Sequence, residues 1–216
     1  LLIQPQHTMR RELLVETLWP EQPETATRQK LHHATSALRR ILEPDLPDKF
    51  PSRYISVEID TVSLHLPAGS SVDFETFQSC YQRFLSGGDR SALTEALAVY
   101  HGELFPDAGA GGWEEPLREK LRGWYLAGWL RFGEYALAEN RLEDALDAVR
   151  HVLEREPWSE EAVRIGMRVH LKQSNRPAAL RLYHRLQGYL RREFELEPRA
   201  DLKALGDQLH WPDHTS

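Results

Sequence analysis

Residues 25–43, TATRQKLHHATSALRRILE, are the stretch on which the fold turns. With Leu31 at zero on a wheel of 100° per residue, Ala34, Leu38, Ile41 and Leu42 gather within roughly 50° either side of 330°. That is the apolar stripe of an amphipathic helix, expected to be buried. The opposite side, near ~150°, carries Gln29, His32, His33, Ser36 and Arg40, with Arg28 and Arg39 flanking it. Only two acids, Glu24 and Glu43, occur in the whole region. Such side chains read base edges and hold phosphates. The same composition also describes an ordinary solvated helix face.

Working outward, Thr8 is placed to cap a helix that runs through Arg10 and Glu12 to Trp19, with Leu13, Leu14 and Leu18 at helical spacing. Pro20 ends it, and Glu21-Gln22-Pro23 is the turn into the 25–43 helix. Pro44 and Pro47 close that helix and open a loop. From 53 to 66 the period changes. Ile55, Val57, Ile59 and then Val62, Leu64, Leu66 alternate with polar neighbours, the signature of strand, turn and strand. Helix, helix, hairpin is the order of a winged helix-turn-helix, whose second helix lies in the major groove, about 12 Å wide. Leu1-Leu2-Ile3 reads as the end of an apolar element.

From Asp73 onward strand signals cease. Helical patterns occupy about 73–86, 89–101, 114–139, 141–155, 159–172, 176–194 and 199–209, separated by turns such as Gly87-Gly88-Asp89, a helix stop and a new cap, and by Pro157 and Pro198. Ala145-Leu146 recurs 34 residues later as Ala179-Leu180. Asn140-Arg141 and Asn175-Arg176 precede the two, and Glu156-Pro157 and Glu197-Pro198 follow them. That period is the one of tetratricopeptide helical hairpins. The expected fold is therefore mainly α, a winged helix-turn-helix over 1–70 followed by an all-α tetratricopeptide-like bundle over 71–216.

Composition sets the outer bounds. The 216 residues are 41% apolar and 28% charged, enough for one large or two small domains. The longest apolar runs, such as Tyr54 to Val57, are too short to cross a bilayer, so no membrane partner is expected and a cytoplasmic location is the default. The single cysteine, Cys80, suits a reducing compartment. The net charge of −6 is unevenly spread. Residues 1–72 hold eight Lys/Arg against nine Asp/Glu, and 73–216 hold nineteen against twenty-four.

Several motifs in order then resemble one family. Arg11-Glu12-Leu13-Leu14, Leu18-Trp19-Pro20-Glu21, Leu38-Arg39-Arg40-Ile41-Leu42 and Val72-Asp73-Phe74-Glu75-Thr76-Phe77 are similar to the landmarks of SARP-type bacterial transcriptional activators. Ala96 to Phe105, Trp113-Glu114 with Arg118 and Leu121, and later Met167, Ala179-Leu180 and Tyr183 continue the likeness over nearly the whole chain. The resemblance implies an OmpR-like winged helix followed by a bacterial transcriptional activator domain. It also implies sequence-specific binding of double-stranded promoter DNA, usually at direct repeats, and activation through RNA polymerase. Transferred by position, the recognition helix is 25–43 and the wing 53–66. Phosphate contacts are expected from Arg28, Lys30, Arg39, Arg40 and Arg53, and base contacts from Gln29, His32, His33 and Ser36. A homodimer is a further expected assembly.

Two features depart from the family pattern. Of the small sheet and first helix that open the family's winged helix, only Leu1 to Pro5 is present, so the domain is expected to lack its N-terminal part. Glu58 and Asp60 also sit at the wing turn, where an acid opposes phosphate. These features support the rival reading, a tetratricopeptide-like protein–protein module whose winged helix no longer binds DNA.

The other candidates read as structure. His32-His33 point 100° apart with no i+4 ligand, so no metal is expected. Gly109–Gly112 lacks a following Lys-Ser/Thr and reads as a loop. Glu114-Glu115 and Glu160-Glu161 read as exposed or helix-start acids. Cys80 reads as a packed thiol, and Trp113, Trp124, Trp129 and Tyr125 as core between helical layers. No nucleophile–base pair is present, so no enzyme, catalytic residue or cofactor is expected. Arg181, Arg185 and Arg192, with Arg191 nearby, form a basic run whose first three members share a face, either solvated or partner-binding.

Overall fold

The computed structural model describes residues 1–20, 22–47, 50–106 and 112–210. The chain divides into two compact units, Leu1–Ser79 with Phe105–Pro116, and Cys80–Leu104 with Leu117–Ser216.

In the first unit a 3-10 turn, Pro5–His7, leads into β1 (Thr8–Arg10), α1 (Arg11–Leu18) and α2 (Glu24–Leu42), then β2 (Ile55–Val57) and β3 (Thr61–Leu64). The strands form an antiparallel sheet in the order β1-β3-β2, with Met9 opposite Val62 and Ser56 opposite Ser63. The alternation read at 53–66 thus becomes the expected hairpin. Thr8 does not cap a helix. Its hydroxyl donates to the Ser63 hydroxyl at 2.8 Å, and α1 begins three residues later without a side-chain cap. The Thr8-Met9-Arg10 backbone has an open edge of β3 to pair with, which local cap chemistry does not reveal.

Leu14 of α1, Leu31 of α2 and Val62 of β3 form the buried cluster, with Leu1, Met9, Val15 and Trp19 packed on it. Burying Leu31 contributes about 1.5–3 kcal/mol. Thr27 and Thr35, one helical turn to either side, are also buried, and the Thr35 hydroxyl donates back to the Leu31 carbonyl at 2.9 Å. The expected stripe is only half right. Ala34 is half-buried, but Leu38, Ile41 and Leu42 are 44%, 73% and 43% exposed. The eight-residue α1 is too short to cover the last turns of a nineteen-residue α2. Beside Leu38 lies an apolar cavity of about 190 Å3, lined also by Leu18, Met9, Ile55 and Trp113.

The helices after α2 are α3 (Asp73–Gly87), α4 (Arg90–Val99), α5 (Glu115–Ala138), α6 (Leu142–Leu153), α7 (Glu160–Lys172), α8 (Arg176–Phe194) and α9 (Ala200–His210). Each lies within a few residues of its periodic pattern. Asp89 caps α4 as its position suggested, accepting from the Ala92 N–H at 3.1 Å.

The 34-residue repeat is written in the backbone. Asn140 and Ser174 are both left-handed, at φ 60° and 57°. The N–H of Arg141 donates to Ala136 and that of Asn175 to His170, each at 2.8 Å, so α5 and α7 end in the same six-residue return. Between the helices small residues set the approach, and a Cβ on Gly133 of α5 would lie 3.2 Å from the Cβ of Ala148 in α6. One further core cluster joins Val163 and Met167 to Ala179, Tyr183, Leu186 and Leu202.

Three expectations about single residues need correction or limits. Trp113 is 46% exposed and belongs to the first unit beside Phe105, whereas Trp124 stacks on Tyr81 and Trp129 on His151 in the second. Glu114 is 3% exposed rather than solvated, and its carboxylate lies against Gly112, where a Cβ would collide with it. The loop reading of 109–112 falls, except for Gly112, outside the described residues. Cys80 is 2% exposed, a packed thiol as read.

Gly133→Ala should therefore lower the thermal midpoint, because crowding of about 1–3 kcal/mol outweighs a gain of about 1 kcal/mol in helix propensity. Gly123→Ala in the same helix meets open space and should raise it, with both read by circular dichroism.

Candidate nucleic-acid interface

The burial of Leu31 sets the rotation of α2 and hence what the helix shows to solvent. Gln29, His33 and Arg40 lie opposite Leu31 and are exposed, and Ser36 beside them is half-buried. Arg28 and His32 are exposed on one flank, with Arg39 half-buried along the same edge. The Arg39 guanidinium donates to the Phe50 carbonyl, tying the end of the helix to the following loop. Lys30 is exposed on the other flank, where its Nζ donates to Gln22 Oε1 at 2.5 Å. The rings of His32 and His33 are 6.1 Å apart and tilted by 57°. Among the described residues no group of three or more His, Cys, Asp or Glu is placed to hold a metal ion.

Three clefts border this face. One of about 380 Å3 lies between α2 and β2, lined by Arg11, His32, Ser36, Arg39, Ser52 and Ser56. A second, of about 280 Å3, lies at the C-terminal end of the helix among His32, Ser36, Arg39, Arg40 and Glu43. The third, of about 480 Å3, brings Arg10 and Arg11 to the start of α2 beside Arg28. Arg10 and Arg11 were not among the residues singled out from the sequence. Their signal was the Arg-Arg pair itself, hidden by assigning both to the interior of a first helix.

The wing is attached through a buried carboxylate. Glu43, 7% exposed, accepts from the Ser52 hydroxyl, from the Arg53 backbone N–H at 3.1 Å and from Arg53 Nε at 3.2 Å. The Ser52 hydroxyl leads, against burial, in holding the Glu43 carboxyl below the ordinary carboxylate range, and Arg53 adds to it. Arg53, expected on phosphate, is thus engaged with Glu43. At the wing turn Glu58 and Asp60 are exposed, the Glu58 N–H donates to the Thr61 carbonyl at 2.9 Å, and Ile59 at the tip is 89% exposed. The Asp60 carbonyl accepts from the Arg11 N–H at 2.8 Å, which fixes the turn against the start of α1.

Because the folded pKa of Glu43 is depressed, its contribution to stability is present above the ordinary carboxylate range and fades as pH falls through the folded value. Denaturant midpoints of the parent chain and Glu43→Gln should differ at neutral pH and converge in acid. A gap that stays constant with pH contradicts this role for the carboxylate.

Residues 85–210 match the family described as bacterial transcriptional activator domain. Among curated proteins no relative matches. The structure is similar to that of Mycobacterium tuberculosis EmbR in complex with a low affinity phosphopeptide, with a TM-score of 0.69 at 19% identity. The match covers 97% of this chain and 56% of that one, so the chain spans little more than half the length of its structural relative. At that identity the likeness is one of fold, a winged helix followed by a helical bundle.

Proposed function

The chain belongs to the bacterial transcriptional activator domain family, and from that premise we propose that it is a sequence-specific, DNA-binding activator that brings RNA polymerase to its promoters. The single observation that carries the reading is the outward side of α2. There Gln29, His32, His33 and Arg40 are exposed together beside a wing, with clefts along the flank of the helix that carries Arg28, His32 and Arg39. Residues 1–70 act as the DNA-binding domain and 71–216 as the activator domain.

In this reading α2 lies in the major groove, and Gln29, His32, His33 and Ser36 meet base edges. Arg28, Arg40 and the flanking Lys30 and Arg39 neutralise phosphates, and Arg10 and Arg11 extend that contact past the start of the helix. Arg53 holds the wing through Glu43 and, with its side chain 82% exposed, also reaches phosphate. No catalytic step or cofactor enters this mechanism, and the chain works in the cytoplasm, where the DNA is. A second reading rests on the wing turn, whose exposed Glu58 and Asp60 face any approaching backbone with the wrong sign. On that reading the helical bundle is a protein–protein module and the winged helix binds no DNA.

Oligonucleotides selected from a random pool, followed by anisotropy titrations in graded salt, separate the two. Arg40→Ala should weaken binding to selected and random duplexes alike and flatten the salt slope by about one unit. His33→Ala should instead reduce discrimination at one position by about 1–3 kcal/mol and leave the slope unchanged. No retention of any duplex at low salt favours the module reading.

A further inference from the structure

The outer face of α8 carries more charge than the bundle uses. No carboxylate occurs between Arg176 and Arg192, and Arg181, Arg185 and Arg192 are exposed without an ion-pair partner among the described residues. Arg191 differs, being paired with Glu197 at 2.7 Å. Positions i, i+4 and i+11 of a helix fall within about 40° of one another, so the three arginines form one strip. Inside that strip lies Gly188. It is helical, and a Cβ built there meets nothing within 4 Å, so neither packing nor backbone conformation within the chain calls for glycine where alanine would favour the helix.

Helix α6 and its C-cap residue carry the counterpart. Glu143, Asp147 and Glu154 are exposed at the same i, i+4, i+11 spacing, each 38 residues before its basic equivalent. Glu143 and Glu154 have no ion-pair partner among the described residues, and Asp147 is paired only with Arg150, 2.8 Å away on the same face. At the same offset, Arg150 corresponds to Gly188. The one cation of the acidic strip therefore falls where the basic strip has no side chain.

We propose that the two strips are the two halves of a head-to-tail contact between copies of this chain, the acidic face of α6 in one copy meeting the basic face of α8 in the next. The occupant is argued from charge complementarity in matched register and from the open glycine, which leaves room where a like charge would arrive. The contact joins unlike surfaces, so it either propagates as a row or closes on itself where the rotation between copies brings both strips together. Exposed ion pairs are individually weak and salt-screened, so the association is low in affinity and strengthens at low ionic strength. It does not depend on whether the chain binds DNA.

Sedimentation equilibrium on the full chain tests it. At about 20 mM salt the weight-average mass should rise with concentration to at least ~1.5 times the monomer, and at about 0.5 M it should return to the monomer value. Glu143→Lys with Glu154→Lys makes both strips basic, and Arg181→Glu with Arg192→Glu makes both acidic. Each double variant should stay monomeric alone, and an equimolar mixture of the two should associate again. All four sites are exposed, so unchanged thermal melting serves as the folding control. A parent chain that is monomeric at low salt overturns the proposal and leaves the α8 strip to nucleic acid or to an acidic partner of another sequence. So does a mixture that fails to associate.

Discussion

The contact between Leu31, Leu14 and Val62 is the constraint from which the first unit follows. A helix nineteen residues long can be rotated about its axis at little local cost, and Thr27, Leu31 and Thr35 choose one rotation by being the side chains that fit beneath it. Once Leu31 faces inward, Gln29, His33 and Arg40 must face outward, because a helix places residues two and nine positions away on its far side. The outward polar face of α2 is thus a by-product of the core, and its polar residues need no bonds to one another to be held in place. The hairpin beside it is fixed separately. The buried Glu43 ties Ser52 and Arg53 to the end of α2, and the Arg11 N–H ties the wing turn to the start of α1.

The helical unit is held by a different device, the close approach of helices at small residues. Gly133 against Ala148 and Gly166 against Val149 and Leu182 recur at nearly the repeat period, and the left-handed residues Asn140 and Ser174 recur at the period itself. A repeat of this kind buries a core only by stacking neighbours. The same stacking leaves the outward faces of α6 and α8 unused by the core, free to carry charge of opposite sign.

The sequence revealed most where the physics is local and periodic. The helices from Asp73 onward, the hairpin, the Asp89 cap and the outward side of α2 were all legible from spacing and turn chemistry. It revealed least where a distant partner decides. Thr8 has the side chain of a cap, yet an edge of β3, more than fifty residues away in sequence, takes it into a sheet. Leu38, Ile41 and Leu42 follow helical period but outrun the surface that α1 and the sheet supply. The Glu43 carboxylate that pairs with Arg53 lies ten residues away in sequence, and Arg10 and Arg11 look like helix surface until the start of α2 is placed next to them. Glu114 is buried with its carboxylate against Gly112, where a Cβ would collide with it, a relation that charge and hydropathy do not encode.

The central claim is that the outward side of α2 enters a duplex. Cys80 is 2% exposed, so a thiol introduced by Ser36→Cys is the one a reagent reaches, and an iron chelate attached there cleaves whatever DNA lies within its short range. On duplexes selected by the parent chain, cleavage should fall inside the selected site, on both strands across one major groove. The same chelate attached through Gln82→Cys, exposed in α3, serves as the reference position. Cleavage from position 36 that is absent or scattered while the duplex remains bound would contradict the account.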